Sequence, residues 1–212
     1  DIIGSKYAIK SKHLWHSSQV YCLAFDRSGR FIFTGGDDGV VKVYSTKSDR
    51  LVHCLSDGSE ADFAEEVEFV CQSIDFDDSQ YINLESKTET FAIQDIAVNY
   101  ENTLIAAAKY TGCINVWNLK TFKLITRLDE QIFPIRTVRF SPFAYEDDKK
   151  YLISVSTDGF IYFYAYDVNT LEFTPNSVHR KTKYDNERAV NICCDFSTGG
   201  LLLGVVHTFG IP

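Results

Sequence analysis

Two neighbouring carboxylates, Asp37 and Asp38, follow a pair of glycines in the segment TGGDDGVVKVY (34–44). Such a pair could hold a divalent cation or act as a general acid and base, but both roles need oxygens that converge across a gap. Neighbouring residues on a strand or hairpin point apart, and the apolar alternation after Gly39 is typical of a strand. The pair is therefore predicted to lie on a turn, with Asp37 exposed and Asp38 structural.

Other potentially reactive side chains give no stronger indication of chemistry. Cys193 and Cys194 are adjacent in the sequence, so on a strand they would face opposite sides, and no basic residue lies close enough to favour a thiolate. The five histidines show neither a His-Glu-x-x-His pattern nor the spacing of zinc ligands. The sequence predicts no catalytic residue, no metal site and no cofactor.

The elements that position these residues recur along the chain. Residues 20–44, VYCLAFDRSGRFIFTGGDDGVVKVY, align without a gap with residues 93–117, IQDIAVNYENTLIAAAKYTGCINVW. A third copy, 135–164, fits with five extra residues in its first turn, and a fourth begins near Asn191. Each copy reads as strand, polar turn, strand, glycine turn, strand. The repeat therefore predicts an all-β protein.

A glycine recurs in the second turn of every copy, as Gly39, Gly112, Gly159 and Gly210, while the residue before it changes. Two-residue hairpins favour a positive φ, which glycine adopts without steric cost. A catalytic acid would not be replaced by Thr111 in one copy and by Phe209 in another. The feature that recurs in every copy is therefore a glycine required by the backbone conformation of the turn. The turn is predicted to be a two-residue hairpin.

The spacing of the copies predicts the architecture. The matching positions Val98 and Phe140 are 42 residues apart, which is the length of a four-stranded propeller blade, about 40–45 residues. The sequence predicts a β-propeller with about four blades and an acidic insertion, in an incomplete ring over 1–212. The expected parts are blade 13–55, acidic insert 56–91, blade 92–128, blade 129–175 and truncated blade 176–212.

Charge and composition narrow the class of partner. The net charge is −8, and residues 56–91 alone hold eleven acids and one lysine. The near-neutral remainder has no basic stripe, which argues against direct nucleic-acid binding, and no apolar run is long enough to predict a membrane span. The run EADFAEEVEFV (60–70) has two interpretations, a solvated loop and a docking segment for a basic partner. Scattered cysteines predict reduced, buried thiols in an intracellular protein.

The ends of the sequence predict a fragment. The chain contains no methionine and begins with Asp1, and its last residues read as a hairpin cut within the second strand. We expect the natural start to lie upstream and further blades to follow Pro212.

The copies resemble WD repeats. A blade of that family has Gly-His before its first strand, Phe with Ser or Asp at the strand end, Ser or Thr before Gly, Asp in the next turn, and Trp closing the third strand. This resemblance implies a buried hydrogen-bonded network in each blade. In the first blade it would join His16, Thr34 and Asp38; in the others the matching residues are Ser154, Asp158 and Trp117.

The sequence also resembles the propeller of the bromodomain-and-WD-repeat family, most specifically in AVNYENTLIAA (97–107), where Asn-Tyr-Glu-Asn replaces the usual turn. The resemblance implies a nuclear protein-interaction module that connects acetylated chromatin, transcription control and a cullin ubiquitin ligase. The expected partners are proteins, namely histone or chromatin proteins and a cullin ubiquitin ligase adaptor. One alternative is a generic WD-repeat scaffold, nuclear or cytoplasmic, and another is a propeller enzyme, which would need a cluster of perturbed acids or histidines.

Partner contacts are predicted at two places. Tyr21, Gln94 and Arg136 occupy matching positions in the first strands of three copies, so they are expected to stand together near one rim of the central channel. Lys120 ends the segment Trp117-Asn118-Leu119-Lys120, which resembles the Trp-Asp-x-Arg element by which some WD-repeat receptors bind a ubiquitin ligase adaptor.

Overall fold

The fold consists of β-strands throughout the described part of the chain, and the all-β prediction is confirmed. The computed structural model describes residues 13, 16–55, 92–144, 149–174, 178–181 and 189–209, so the predicted insert 56–91 lies outside the described residues. These residues contain no helix that could cross a membrane. The strands are β1 Val20–Phe25, β2 Phe31–Gly36, β3 Val41–Ser45, β4 Arg50–Leu55, β5 Ile93–Val98, β6 Leu104–Lys109, β7 Ile114–Asn118, β8 Leu124–Leu128, β9 Ile135–Phe140, β10 Lys150–Ser156, β11 Phe160–Tyr166, β12 Val178–Lys181, β13 Ala189–Phe196 and β14 Leu203–Phe209.

These strands form four antiparallel sheets in which consecutive strands are neighbours: β1–β4, β5–β8, β9–β12 and the two-stranded β13–β14. The first strands of successive sheets lie side by side, β1 against β5, β5 against β9, and β9 against β13. Four sheets arranged in this way are blades of a propeller whose ring is not closed among the described residues. The prediction of about four blades in an incomplete ring is confirmed.

The third sheet extends further than the sequence indicated. Its outermost strand, β12, pairs with β11 from Phe160 opposite Lys181 to Phe163 opposite Val178. The sequence analysis placed residues after 175 in the fourth blade, whereas the structure gives β12 to the third. Pairing with β11, and not the local pattern, makes this segment a strand.

The glycine turns have three residues and not the two predicted. In the first sheet Thr34 lies opposite Lys42, and Gly39 donates its N–H to the carbonyl of Gly36 at 3.2 Å. The same bond joins Gly112 to Lys109 and Gly159 to Ser156. A turn that ends in a residue of positive φ is the usual three-residue hairpin loop, and φ is 73°, 89° and 83° at these glycines. The predicted backbone requirement is confirmed at these three positions, whereas the loop length was wrong.

The core lies between sheets. One cluster lies between the first and second sheets and a second lies between the second and third. Strand β6 is buried along its whole length and supplies both clusters, since Ile105 and Ala107 face one while Ala106 and Ala108 face the other. Alternation along a strand sends successive side chains to opposite faces.

Candidate functional site: the two rims of the sheets

Each sheet has two rims, which we define by strand direction. Strands β1, β5 and β9 begin at the upper rim, where Ile93 lies opposite Lys109. They end at the lower rim. On the neighbouring strand β6, Leu104 lies at this rim and is paired with Asn118 of β7. The glycine turns therefore lie at the upper rim, and the turns that join first to second and third to fourth strands lie at the lower rim.

At the upper rim of the first blade, His16 lies between Thr34 and Asp38. Its Nδ1 is 2.7 Å from Asp38 Oδ2, and its Nε2 is 2.6 Å from Thr34 Oγ1. The His16 side chain is only 5% exposed. An ionised carboxylate can only accept, so Nδ1 carries the proton and donates to Asp38, while Nε2 is hydrogen-bonded to the Thr34 hydroxyl. The residues assigned to this network from the sequence do lie together.

The charge on Asp38 is stabilised by its neighbours. Burial favours the neutral carboxyl, but the hydrogen bond and charge of His16, the Lys42 ammonium 3.4 Å away and the N–H of Val40 outweigh it, so the pKa of Asp38 is below its usual value. Lys42 is itself buried. A buried carboxylate with several donors is a structural feature that is costly to disturb.

Asp37 points elsewhere, as expected for adjacent turn residues. Its Oδ2 accepts a hydrogen bond from the Tyr21 hydroxyl at 2.9 Å, and the residue is half-buried and not exposed as predicted. The two carboxylates thus have separate partners. No group of three or more His, Cys, Asp or Glu side chains that could hold a metal ion is found in the described ranges.

The third blade has an equivalent network that the sequence analysis missed. Gln131, 3% exposed, donates from Nε2 to Ser154 Oγ at 2.7 Å and to the Tyr164 hydroxyl at 2.8 Å. Its Oε1 is buried without a hydrogen-bond partner among the described residues. Gln131 precedes Phe140 by nine residues, as His16 precedes Phe25. This constant spacing was the signal that could have identified it.

The other predicted network residues have different surroundings. Asp158 accepts hydrogen bonds from the Ser156 hydroxyl and from the N–H of Phe160 at 3.0 Å, so it stabilises its own turn. Trp117 is 1% exposed and packs in the cluster between the first and second sheets. Its blade has Thr111 in place of Asp, and Thr111 is exposed.

Two of the three predicted contact residues of the first strands meet directly. Arg136 donates from Nη1 to Gln94 Oε1 at 3.4 Å across the second and third sheets. Tyr21 is 49% exposed and is held by Asp37 in the first sheet. All three lie at the upper rim, whereas Lys120 is exposed at the lower rim, where its N–H bonds Asn118 Oδ1 at 2.9 Å. The predicted contact residues therefore form two separate surfaces.

The lower rim also contains the unusual Asn-Tyr-Glu-Asn turn. Asn102 has φ 58°, at the position where the first and fourth copies have Gly29 and Gly200, also with positive φ. Asparagine tolerates this conformation better than most residues. Its side chain accepts the N–H of Arg27 at 2.8 Å and donates to Asp26 at 3.3 Å, which glycine could not do. Asn102 therefore joins the first two blades.

The cysteine pair separates as predicted. Cys193 is exposed and Cys194 is buried, and both are free thiols. Burial raises the pKa of the Cys194 thiol to about 12, so it remains protonated near neutral pH. The expectation of buried thiols is wrong for Cys193, which is exposed, and Cys22 and Cys54 are only half-buried.

Comparison with known proteins identifies one matching repeat and several relatives. The WD domain, G-beta repeat family (WD40) matches residues 9–45. A bromodomain and WD repeat-containing protein of Dictyostelium discoideum is 33% identical over 106 residues, covering 50% of this chain and 3% of that protein. COMPASS component SWD3 of Saccharomyces cerevisiae is 22% identical over 169 residues, covering 76% of this chain and 42% of the relative. Protein hir1 of Aspergillus fumigatus is 23% identical over 158 residues, covering 72% of this chain and 13% of the relative.

Solved structures support the same fold. The crystal structure of RRP9 WD40 repeats superposes with a TM-score of 0.53 at 11% sequence identity, and the structure of U3-55K superposes with a TM-score of 0.54 at 11% sequence identity. Each match covers 82% of this chain. This chain spans 41% and 42% of those chains. At such low identity the likeness concerns the fold alone. Residues 9–45 match a WD40 repeat, and the described sheets share the β-propeller fold of WD40-repeat proteins.

Proposed function

We propose that this propeller is the non-enzymatic recognition module of a nuclear chromatin and transcription regulator, and that it contacts its protein partner through the upper rim. The observation that carries the proposal is the joint position of Tyr21, Gln94 and Arg136 on three adjacent first strands. Side chains from several blades on one rim offer a composite surface that a single blade lacks. The relative named for its bromodomain and WD repeats supports the chromatin context, and histone or other chromatin proteins are the proposed partners.

The lower rim is proposed to bind a cullin ubiquitin ligase adaptor. Asn118 Oδ1 accepts the N–H groups of Lys120 and Thr121, at 2.9 and 3.1 Å, and thereby holds the turn in one conformation. Lys120 is exposed on this ordered turn. An exposed cation on a rigid turn suits the recognition of an acidic surface.

Cell fractionation of the full-length protein tests both parts. With the wild type we expect recovery in the nuclear chromatin fraction. The double variant Tyr21→Ala and Arg136→Ala should release the protein from chromatin and leave its co-precipitation with the cullin adaptor unchanged. The variant Lys120→Glu should lose co-precipitation with the adaptor and remain in the chromatin fraction.

Three results would contradict this assignment. A wild-type protein found only in the cytosol would favour the generic scaffold. Equal effects of the upper-rim and lower-rim variants would show that the two surfaces are not separate. Retained adaptor binding by Lys120→Glu would remove the ligase connection while leaving the chromatin role intact.

A further inference from the structure

The first strand of every sheet has a β-bulge at a matching place. In each case one residue is left out of the pairing with the second strand: Tyr21 in β1, Gln94 in β5, Arg136 in β9 and Ile192 in β13. A bulge bends its strand and re-aims a side chain. The residues that follow the bulges are Cys22, Asp95, Thr137 and Cys193, each three positions before the aligned residues Phe25, Val98, Phe140 and Phe196.

The first strands are also edge strands, and each lies beside the first strand of the next sheet. In an antiparallel sheet the backbone groups of successive residues point to alternate sides. The Ser141 N–H, just after β9, donates to the Tyr151 carbonyl of its own sheet at 2.8 Å, so the N–H of Val138 points away from that sheet's second strand. Val138 is fully buried, and a buried backbone group without a partner is costly.

The residue after the bulge bonds to the backbone of the next first strand at all three junctions between the described sheets. These bonds join the Cys22 thiol to the Ile93 carbonyl at 3.8 Å, the Asp95 carboxylate to the Val138 N–H at 2.9 Å, and the Thr137 hydroxyl to the Ile192 carbonyl at 3.3 Å. A thiol is a weak donor, and the Cys22 thiol is also 3.5 Å from the Gly35 carbonyl of its own sheet. The first junction therefore has the weakest of the three bonds.

The bond between the second and third sheets is reinforced by charge. Asp95 Oδ2 also accepts a hydrogen bond from Arg139 Nη1 at 2.6 Å, and the Asp95 side chain is 16% exposed. Arg139 Nε lies 3.7 Å from Asp195 Oδ1 in the fourth sheet. Hydrogen bonds to ionised groups are stronger than those between neutral groups. Charged side chains thus connect three successive sheets at this place.

We propose that the residue after each bulge is an inner-edge latch, a side chain that ties its sheet to the backbone of the next sheet's first strand. The inference goes beyond the proposed function, because it concerns how the blades are joined and not what they bind. A latch needs only an N–H or a carbonyl from its neighbour, so a thiol, a carboxylate and a hydroxyl can occupy the same position. In the fourth sheet that position is Cys193, and no sheet follows it among the described residues.

Amide hydrogen exchange of the complete chain, resolved to single residues by NMR, tests the Asp95 latch. Asp95→Ala removes the acceptor of the Val138 N–H, so this amide should exchange about tenfold to a hundredfold faster, the size of a hydrogen bond to a charged group. The Ser141 amide is the control, because its acceptor is the Tyr151 carbonyl of its own sheet. Equal acceleration of both amides, or an unchanged rate at Val138, would overturn the proposal.

A milder variant keeps the test decisive if Asp95→Ala does not fold. Asp95→Asn retains an oxygen that can accept the Val138 N–H but loses the ionic contact with Arg139. Exchange at Val138 should therefore rise above the wild-type rate by less than about tenfold, with Ser141 unchanged. An acceleration at Ser141 as large as that at Val138 would show that Asp95 stabilises the sheets generally and would reject the latch.

The Thr137 latch is tested through a buried thiol. Ile96 of β5 packs between the first and second sheets, and Cys194 has the matching position in β13, so Cys194 faces the third sheet and its alkylation reports the opening of that junction. Thr137→Val removes the hydroxyl and should speed alkylation of Cys194 about threefold to tenfold, the size of one neutral hydrogen bond. Thr137→Ser keeps the hydroxyl and should stay within about twofold of the wild type. Equal rates in the two variants would refute the latch.

Discussion

The adjacent carboxylates Asp37 and Asp38 should respond very differently to the same substitution. Asp38→Ala removes an acceptor held 2.7 Å from His16 Nδ1, 3.4 Å from Lys42 Nζ and 3.3 Å from the N–H of Val40. Asp37→Ala removes one acceptor from the exposed hydroxyl of Tyr21. The two variants delete the same atoms at consecutive positions, so each is the natural control for the other.

The magnitudes follow from burial. Leaving a buried donor such as His16 Nδ1 without a partner costs about 1–3 kcal/mol, and removing one member of a buried ion pair costs about 3–5 kcal/mol. Lys42 has a further interaction, which favours the lower part of that range. We expect Asp38→Ala to lower the free energy of unfolding by about 3 kcal/mol. Asp37→Ala should lower it by about 0.5–1 kcal/mol, the net value of one hydrogen bond.

Urea unfolding followed by tryptophan fluorescence measures this difference. A Trp15→Phe background leaves Trp117 as the single tryptophan of the chain. Trp117 is 1% exposed and lies in the cluster that joins the first and second sheets, so its emission then reports the first blade separating from the second. The stability of each blade in a repeat depends on its neighbours, so blades can unfold at different urea concentrations. The urea midpoint of the first unfolding transition is therefore the quantity to compare between the variants.

The effect should depend on pH with a definite sign. The folded-state pKa of Asp38 is below its usual value, so its charged form stabilises the folded state above the unfolded pKa of about 3.9. That contribution is lost as the pH falls through the lower folded-state pKa. The difference between wild type and Asp38→Ala should therefore be complete at neutral pH and shrink in acid.

Two results would refute this reasoning. Losses in Asp38→Ala and Asp37→Ala that agree within about 0.5 kcal/mol, the usual range for surface substitutions, would show that the His16 contact contributes nothing particular. A difference that grows below pH 4 would mean that Asp38 is not held in its charged form.

Three further outcomes are expected. Gly29→Ala should lower the free energy of unfolding by about 1 kcal/mol, because Gly29 has a φ of 69° and an added Cβ would meet no other atom. Gly112→Ala should lower it by at least about twice as much, because its added Cβ would also meet backbone atoms. Equal urea midpoints for the two variants would contradict the close contact at Gly112. Asn102→Gly keeps the turn but loses the bonds to the first blade, and should cost about 1 kcal/mol by urea unfolding; no loss would contradict the joining role. At pH 8 an alkylating reagent should label Cys193 rapidly and leave Cys194 unmodified until the chain is denatured, as measured by peptide mass spectrometry; rapid labelling of both would contradict the burial of Cys194.

Some features of the fold and site could be predicted because they are local. Period-2 alternation and the recurring glycines identified the strands and turns, since both depend on backbone geometry within a few residues. The network of His16, Thr34 and Asp38 was implied by the resemblance to WD repeats, and the structure finds these side chains in contact. Local patterns did not give the loop length, because a two-residue and a three-residue loop both need a residue of positive φ.

Other features depend on partners distant in the sequence. VHRK at β12 has no strand pattern and becomes a strand through pairing with β11. Gln131 is a polar residue in a loop, and its role appears only when Ser154 and Tyr164 are placed beside it. The importance of Asn102 likewise comes from the first blade, more than seventy residues earlier in the chain.

The sequence by itself determined that the chain is a set of blade repeats and that its carboxylate pair lies on a turn, because strand alternation and turn conformation are encoded within short segments. Only the tertiary structure decided which side chains meet between blades and which rim each one occupies. Sheet packing brings Gln94 to Arg136 and separates both from Lys120. Those distances depend on how whole sheets lie against one another, and no local pattern of residues specifies them.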